Sequence, residues 1–130
     1  MKPYTLLKIV SKILFPFLIV FGIYIIMNGH MSPGGGFQGG VVLATSYILV
    51  YFIHEKNFLD INKIVKIEKI LFSVLIFSAI LFYFDIFKFG IIFENYKVVA
   101  LVYLNFLIGI KVALGIGAII GIFIEEGESR

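Results

Sequence analysis

From Ile13 to His54 the chain carries no Asp, Glu, Lys or Arg, an uncharged run of 42 residues. One helix needs roughly 20 apolar residues to cross the hydrocarbon of a bilayer. The run therefore holds two crossings, which leaves few folds open. Composition agrees: the chain is 61% hydrophobic and 15% charged, with a mean hydropathy of +1.08. Water-soluble domains are less apolar and carry more charge, and a domain this short buries too little surface to hide the excess. A soluble enzyme is excluded. Disorder is excluded too, because hydrophobicity is high and the net charge is only +3. In a membrane chain the basic balance is read by position, and it carries no implication of nucleic-acid binding. The chain has no cysteine, so it holds no disulfide, thiol nucleophile or thiolate metal site.

Expected is an all-α integral membrane protein with four transmembrane helices in a single domain over residues 1–130. The first span covers about residues 9–27, with Lys8 and Lys12 snorkelling at its start and Pro16 placed to kink it. Its apolar stretch is long and no small-residue cleavage site follows, so it reads as retained rather than as a signal peptide. A glycine-rich loop occupies 28–40 and the second span about 36–53. Residues 54–69 are charged, with Phe58, Ile61, Ile64, Val65 and Ile67 recurring at near-helical spacing. An interfacial helix and a solvated loop both fit that segment. The third span covers about 70–89 and the fourth about 98–124.

Four spans place both termini and the middle segment on one side. That side holds Lys2, Lys8, Lys12, Lys56, Lys63, Lys66, Lys69 and Arg130; the other holds only Lys88 and Lys97. The positive-inside rule then puts the termini in the cytoplasm of a multi-pass cell-membrane protein and the glycine loop outside.

Six of the twelve residues from Gly29 to Gly40 are glycine. A phosphate-cradling loop is a poor reading, since no Gly-Lys-Ser/Thr follows and no strand precedes. Two readings stay open. One is a tight turn between helices. The other is a segment that re-enters the membrane, enclosed by other helices, and offers carbonyls, His30 and Gln38 to an ion or proton path.

The string Gly29-His30-Met31-Ser32-Pro33-Gly34-Gly35-Gly36-Phe37-Gln38-Gly39-Gly40 resembles the signature of the MnhB/MrpB family, small membrane components of Mrp-type multisubunit sodium–proton antiporters. The same module occurs in archaeal membrane-bound hydrogenases and related ferredoxin-dependent complexes. Met31 stands where the family usually has Asn, which marks that position as tolerant. The resemblance implies a small membrane subunit, without catalytic residues or cofactor of its own. It would pack among other antiporter-type subunits in a hetero-oligomer that moves Na+ and H+. It also implies that Pro33, Gly34, Gly35, Gly36, Phe37, Gly39 and Gly40 form the structural loop.

Lys111 has thirteen uncharged residues on each side, roughly 20 Å of helix in either direction. Its ammonium cannot snorkel that far, and facing lipid there would cost at least about 2.5–3.5 kcal/mol. It must face protein or a wet cavity, either as part of an ion or proton route or as a structural lysine paired with an acid. Within the chain the expected partner is Asp85, but that lies near the end of the third span, so an acid on another subunit fits better.

The other polar positions say less. Asn105 suits helix packing better than ion contact, and Asp85 with Lys88 suits a surface pair. His54 marks the end of the second span. His30 lies in the loop, within reach of a path there, yet it also suits a helix end. Two isolated histidines without acids at ligand spacing make a metal site unexpected. Gly109, Ala113, Gly117 and Gly121 recur every four residues, a small-residue ridge for close helix approach. Lys111 and Gly115 share a face offset from it, so the fourth helix is expected to pack on one helix and offer its lysine to another. The tyrosines stand mostly near span ends, as interfacial anchors do, and the 15 Phe give no cofactor box.

The reading that results is a subunit of a Na+/H+ antiporter complex, with Lys111, His30, Gln38 and Asn105 as ion- or proton-path candidates. Two alternatives stand beside it. One is the antiporter-like part of an energy-converting hydrogenase or sulfur-reducing complex; the other is a purely structural spacer.

Overall fold

The computed structural model describes residues 3–31, 33–54, 60–83 and 96–128. Four helices account for nearly all of them: α1 Pro3–Asn28, α2 Gly36–His54, α3 Ile61–Tyr83 and α4 Tyr96–Glu128. The class is all-α, as the apolar runs require. Thr5–Asn28 of α1 and Val98–Gly127 of α4 are long and apolar enough to cross a bilayer. α2, at 19 residues, is about 28 Å long, close to the hydrocarbon thickness. α1 continues unbroken through Pro16.

Helix packing here depends on the absence of side chains more than on their bulk. α1 runs antiparallel to α2, with Gly22 against Leu43 and Gly39 against Ile26. α2 and α4 run parallel: Gly36 meets Asn105 and Ile108, Gly40 meets Gly109 and Val112, and Tyr47 meets Gly117 and Gly121. At Gly40 a Cβ would stand 2.6 Å from the Gly109 carbonyl oxygen, so only glycine allows that approach. Ile26, 1% exposed, plugs the junction of α1, α2 and α4. Outside this seam the surface is apolar, with Phe17, Val20 and Phe123 each more than two-thirds exposed. Such a surface suits lipid or neighbouring membrane helices, not water.

α3 packs antiparallel along α4. Ile61 lies against Gly121, and at the far end the hydroxyls of Ser78 and Tyr103 meet at 3.4 Å, with Phe82 edge-on to the Tyr103 ring. The charged segment differs here from the expected separate element before a third span starting near 70. α3 is one continuous helix from Ile61. The physical reason is a cap: Asp60 Oδ1 accepts the Asn62 N–H at 3.1 Å, and the Asp60 carbonyl accepts from Lys63 and Ile64. An aspartate in that position satisfies amides that a helix start leaves unpaired. Ile64 then becomes a buried contact of the same helix that carries Lys63 and Lys66 on its exposed face. Residues 55–59 and 84–95 lie outside the described residues, and with them Phe58, the last part of the expected third span and the Asp85–Lys88 pair.

Candidate functional site

Two groupings of the candidate residues emerge, and they are separate. The first is the loop between α1 and α2. After α1, the Met31 N–H donates to the Asn28 carbonyl at 2.9 Å, closing a turn that leaves His30 exposed. Gly34 and Gly35 then take φ values of +147° and +99°, where L side chains are strained. Asn105 of α4 reaches this loop. Its Oδ1 accepts the Gly36 N–H at 3.4 Å, and a Cβ on Gly29 would stand 3.0 Å from its Nδ2. The loop is thereby clamped onto α4 at the first turn of α2. Phe37 and Gln38 stand exposed, while Gly39 and Gly40 face the helix seam. Replacing Gly35 by alanine is expected to cost about 1–2 kcal/mol through the left-handed backbone alone. A lowered unfolding midpoint in detergent would register it, with Gly127→Ala, which has nothing within 4 Å, as the comparison.

The second grouping is on α3 and α4. Lys111 Nζ lies 2.9 Å from Glu68 Oε1 and 4.9 Å from the centre of the Phe72 ring. Glu68 and Phe72 are one helical turn apart and so share a face of α3. Both project toward α4. The lysine side chain is 30% exposed and the carboxylate 22%, so the pair sits at the open edge of the α3–α4 groove and is not sealed within it. Gly115, one turn along α4, leaves room beside the Glu68 side chain.

The lysine thus has a partner within its own chain, where an acid on another subunit was expected. Glu68 escaped the sequence reading because it was assigned to an interfacial segment, outside any span. The α3 cap at Asp60 brings it in: Glu68 lies seven residues beyond Ile61, about 10 Å along the axis. The available signal was that Glu68 is the only acidic residue between Asp60 and Asp85, spaced one turn from a phenylalanine. Asn105 is joined to the glycine loop, about 9 Å along α4 from Lys111. His30 and Gln38 belong to the loop end as well. On α4 itself, Gly109, Gly117 and Gly121 turn to the α1–α2 side or to Ile61, whereas Lys111 and Gly115 turn to Glu68.

Comparison with known proteins defines the class. Residues 6–120 match the profile of the family described as "Domain related to MnhB subunit of Na+/H+ antiporter", and the chain belongs to that family. It is 37% identical over 62 residues to antiporter subunit mnhB2 of Staphylococcus epidermidis, covering 48% of this chain and 40% of that protein. With the mnhB2 protein of Staphylococcus saprophyticus it shares 39% identity over 51 residues, or 39% and 36% of the two chains. The matched stretches span at most about two-fifths of these relatives. No solved structure matches significantly.

Proposed function

We propose that this chain is a small integral subunit of a multisubunit Na+/H+ antiporter complex, lying in the cell membrane with both termini in the cytoplasm. The observation that carries the reading is the family match over residues 6–120. The charge pair on the middle of α4 supports it, since ionisable groups within apolar spans mark ion and proton pathways. The subunit does no bond chemistry. It contributes the Lys111–Glu68 pair to the translocation route, and its glycine loop and apolar outer faces seat it among other antiporter-type subunits.

Affinity purification of the tagged chain from its native membrane, followed by reconstitution, tests the reading. Other antiporter-type membrane subunits are expected to copurify, and the vesicles are expected to show Na+-dependent proton movement. Copurification with redox subunits alone, or purification as a monomer, would count against it. Orientation is checked separately. The absence of native cysteine makes Lys66→Cys a clean reporter on the exposed face of α3. A membrane-impermeant maleimide is expected to label it in inside-out vesicles and to leave it unlabelled in right-side-out ones.

A further inference from the structure

Glu68 is not the only charge that α3 carries inward. Lys69 follows it at the same depth, and Glu68 meets Lys111 at 2.9 Å with Gly115 beside it. Lys111 and Gly115 bracket the middle of the apolar stretch Val98–Gly127, so Lys69 stands near mid-membrane as well. It leaves α3 about 100° round from Glu68 and is exposed. No acid among the described residues pairs with it. Lys111 and Glu68 neutralise each other, which leaves one positive charge over at this depth among the described residues. Water reaches the start of α3, where Asp60, Asn62 and Lys63 are exposed, and Lys66 lies near enough to snorkel back to it. Lys69 is nine residues beyond Asp60, about 13 Å along the axis, and a lysine side chain spans only several ångströms. An ammonium facing lipid there is costly, and such groups face protein or an enclosed cavity.

The face that carries Lys69 is unpartnered. Among the described helices α3 packs substantially on α4 alone. Lys69, Ser73, Ile76 and Ile80 fall at the spacing of a single helix face, turned away from Ile64, Glu68 and Ser78, and all four are exposed. The Ser73 hydroxyl donates to the Lys69 carbonyl at 3.2 Å, so it is satisfied within its own helix and leaves a small residue where another helix can come close. We propose that this face of α3 is the docking surface for a transmembrane helix of a neighbouring subunit, and that the helix brings a carboxylate to Lys69. Charge and depth select that partner together. The surplus charge at this level is positive, and an acid carried on a membrane helix can stand at mid-membrane, whereas a phospholipid phosphate stays at the headgroup level. The assignment rests on the reading of the chain as one subunit of a multisubunit complex, and it names the surface and the chemistry of the contact.

The yield of intact complex purified from the native membrane tests this. Lys69→Leu leaves the partner's carboxylate buried and unpaired, and is expected to lower the yield at least roughly tenfold. Lys69→Arg keeps the charge and is expected to retain most of it. A lysine that faced lipid or a hydrated gap predicts the opposite sign, since leucine suits lipid better, so an unchanged or raised yield in Lys69→Leu would overturn the proposal. A second measurement needs no variant. A membrane-permeant carbodiimide joins an ammonium to a carboxylate that touches it, and the Lys111–Glu68 link in the unaltered complex reports that the reagent reaches this depth. Mass spectrometry is expected to find Lys69 joined to an Asp or Glu in a membrane helix of a different subunit. Lys69 left unlinked while Lys111 and Glu68 are joined would overturn the proposal. So would loss of a tightly held phospholipid from Lys69→Leu without any protein link at Lys69, which would assign the position to a lipid headgroup. A chain that purifies without other antiporter-type subunits would sink the multisubunit reading and this inference with it. An intact complex whose yield is indifferent to Lys69→Leu would sink only the inference.

Discussion

Lys111→Glu is expected to lose the packing of α3 against α4 and, with it, assembly of the subunit. The substitution places a second carboxylate opposite Glu68, where the present ammonium stands 2.9 Å away. At an effective dielectric of 20, two like charges 4 Å apart repel by about 4 kcal/mol, and the attraction they replace is lost as well. Partial exposure of the pair and uptake of a shared proton soften this, which leaves an expected loss of about 3 kcal/mol. The readout is the yield of intact complex on a native gel together with the unfolding midpoint of the purified subunit. Swapping the charges, Glu68→Lys with Lys111→Glu, is expected to restore most of the yield, because the pair is re-formed with its signs exchanged. A single variant that assembles and melts like the parent would mean that the two side chains do not meet.

Gly40→Leu is the second substitution expected to have a large effect, and it acts by volume alone. The new Cβ would fall 2.6 Å from the Gly109 carbonyl oxygen and 2.8 Å from the Val112 Cβ. A flexible side chain could turn aside, but a carbonyl oxygen in mid-helix moves only if the whole of α4 moves. The cost is expected at or above the upper end of the usual range for overpacking, about 3 kcal/mol, with α2 and α4 forced apart and the Asn105 clamp on Gly36 opened. Thermal unfolding followed by circular dichroism in detergent measures it. Gly127→Leu is the control, since nothing lies within 4 Å of that position, and it is expected to melt at or slightly above the parent temperature because leucine favours helix over glycine. Equal midpoints for the two variants would mean that α2 and α4 do not approach closely at Gly40.

The contrast between these two sites shows how much was legible in the sequence. The small residues Gly109, Ala113, Gly117 and Gly121 can be read as a code for close helix approach without coordinates, because small residues at period four have few other uses in lipid, whereas Gly36 and Gly40 read as part of the glycine loop. Which helix each ridge meets is another matter. Tyr47 fills the space at Gly117 and Gly121 while backbone fills the space at Gly40, and no spacing rule separates the two. Asn105 shows the same limit. Its distance in sequence from the glycine loop, 69 residues from Gly36, hides a contact that exists only because α2 and α4 lie side by side and parallel.

By itself the sequence determined that the chain is helical, that it lives in lipid, and that Lys111 stands alone in an apolar span. These follow from the scarcity of charge: 15% of the residues cannot clothe a soluble surface, and thirteen uncharged neighbours on each side hold a lysine too far from either helix end to snorkel there. Tertiary structure alone decided who answers that lysine. Glu68 meets it because Asp60 starts α3 early enough to carry an acid inward, and because α3 runs antiparallel to α4, with Ile61 at Gly121 and Ser78 at Tyr103. A local pattern can show that a charge is out of place. Its partner is set by the depth and rotation of two packed helices, quantities that no residue carries on its own.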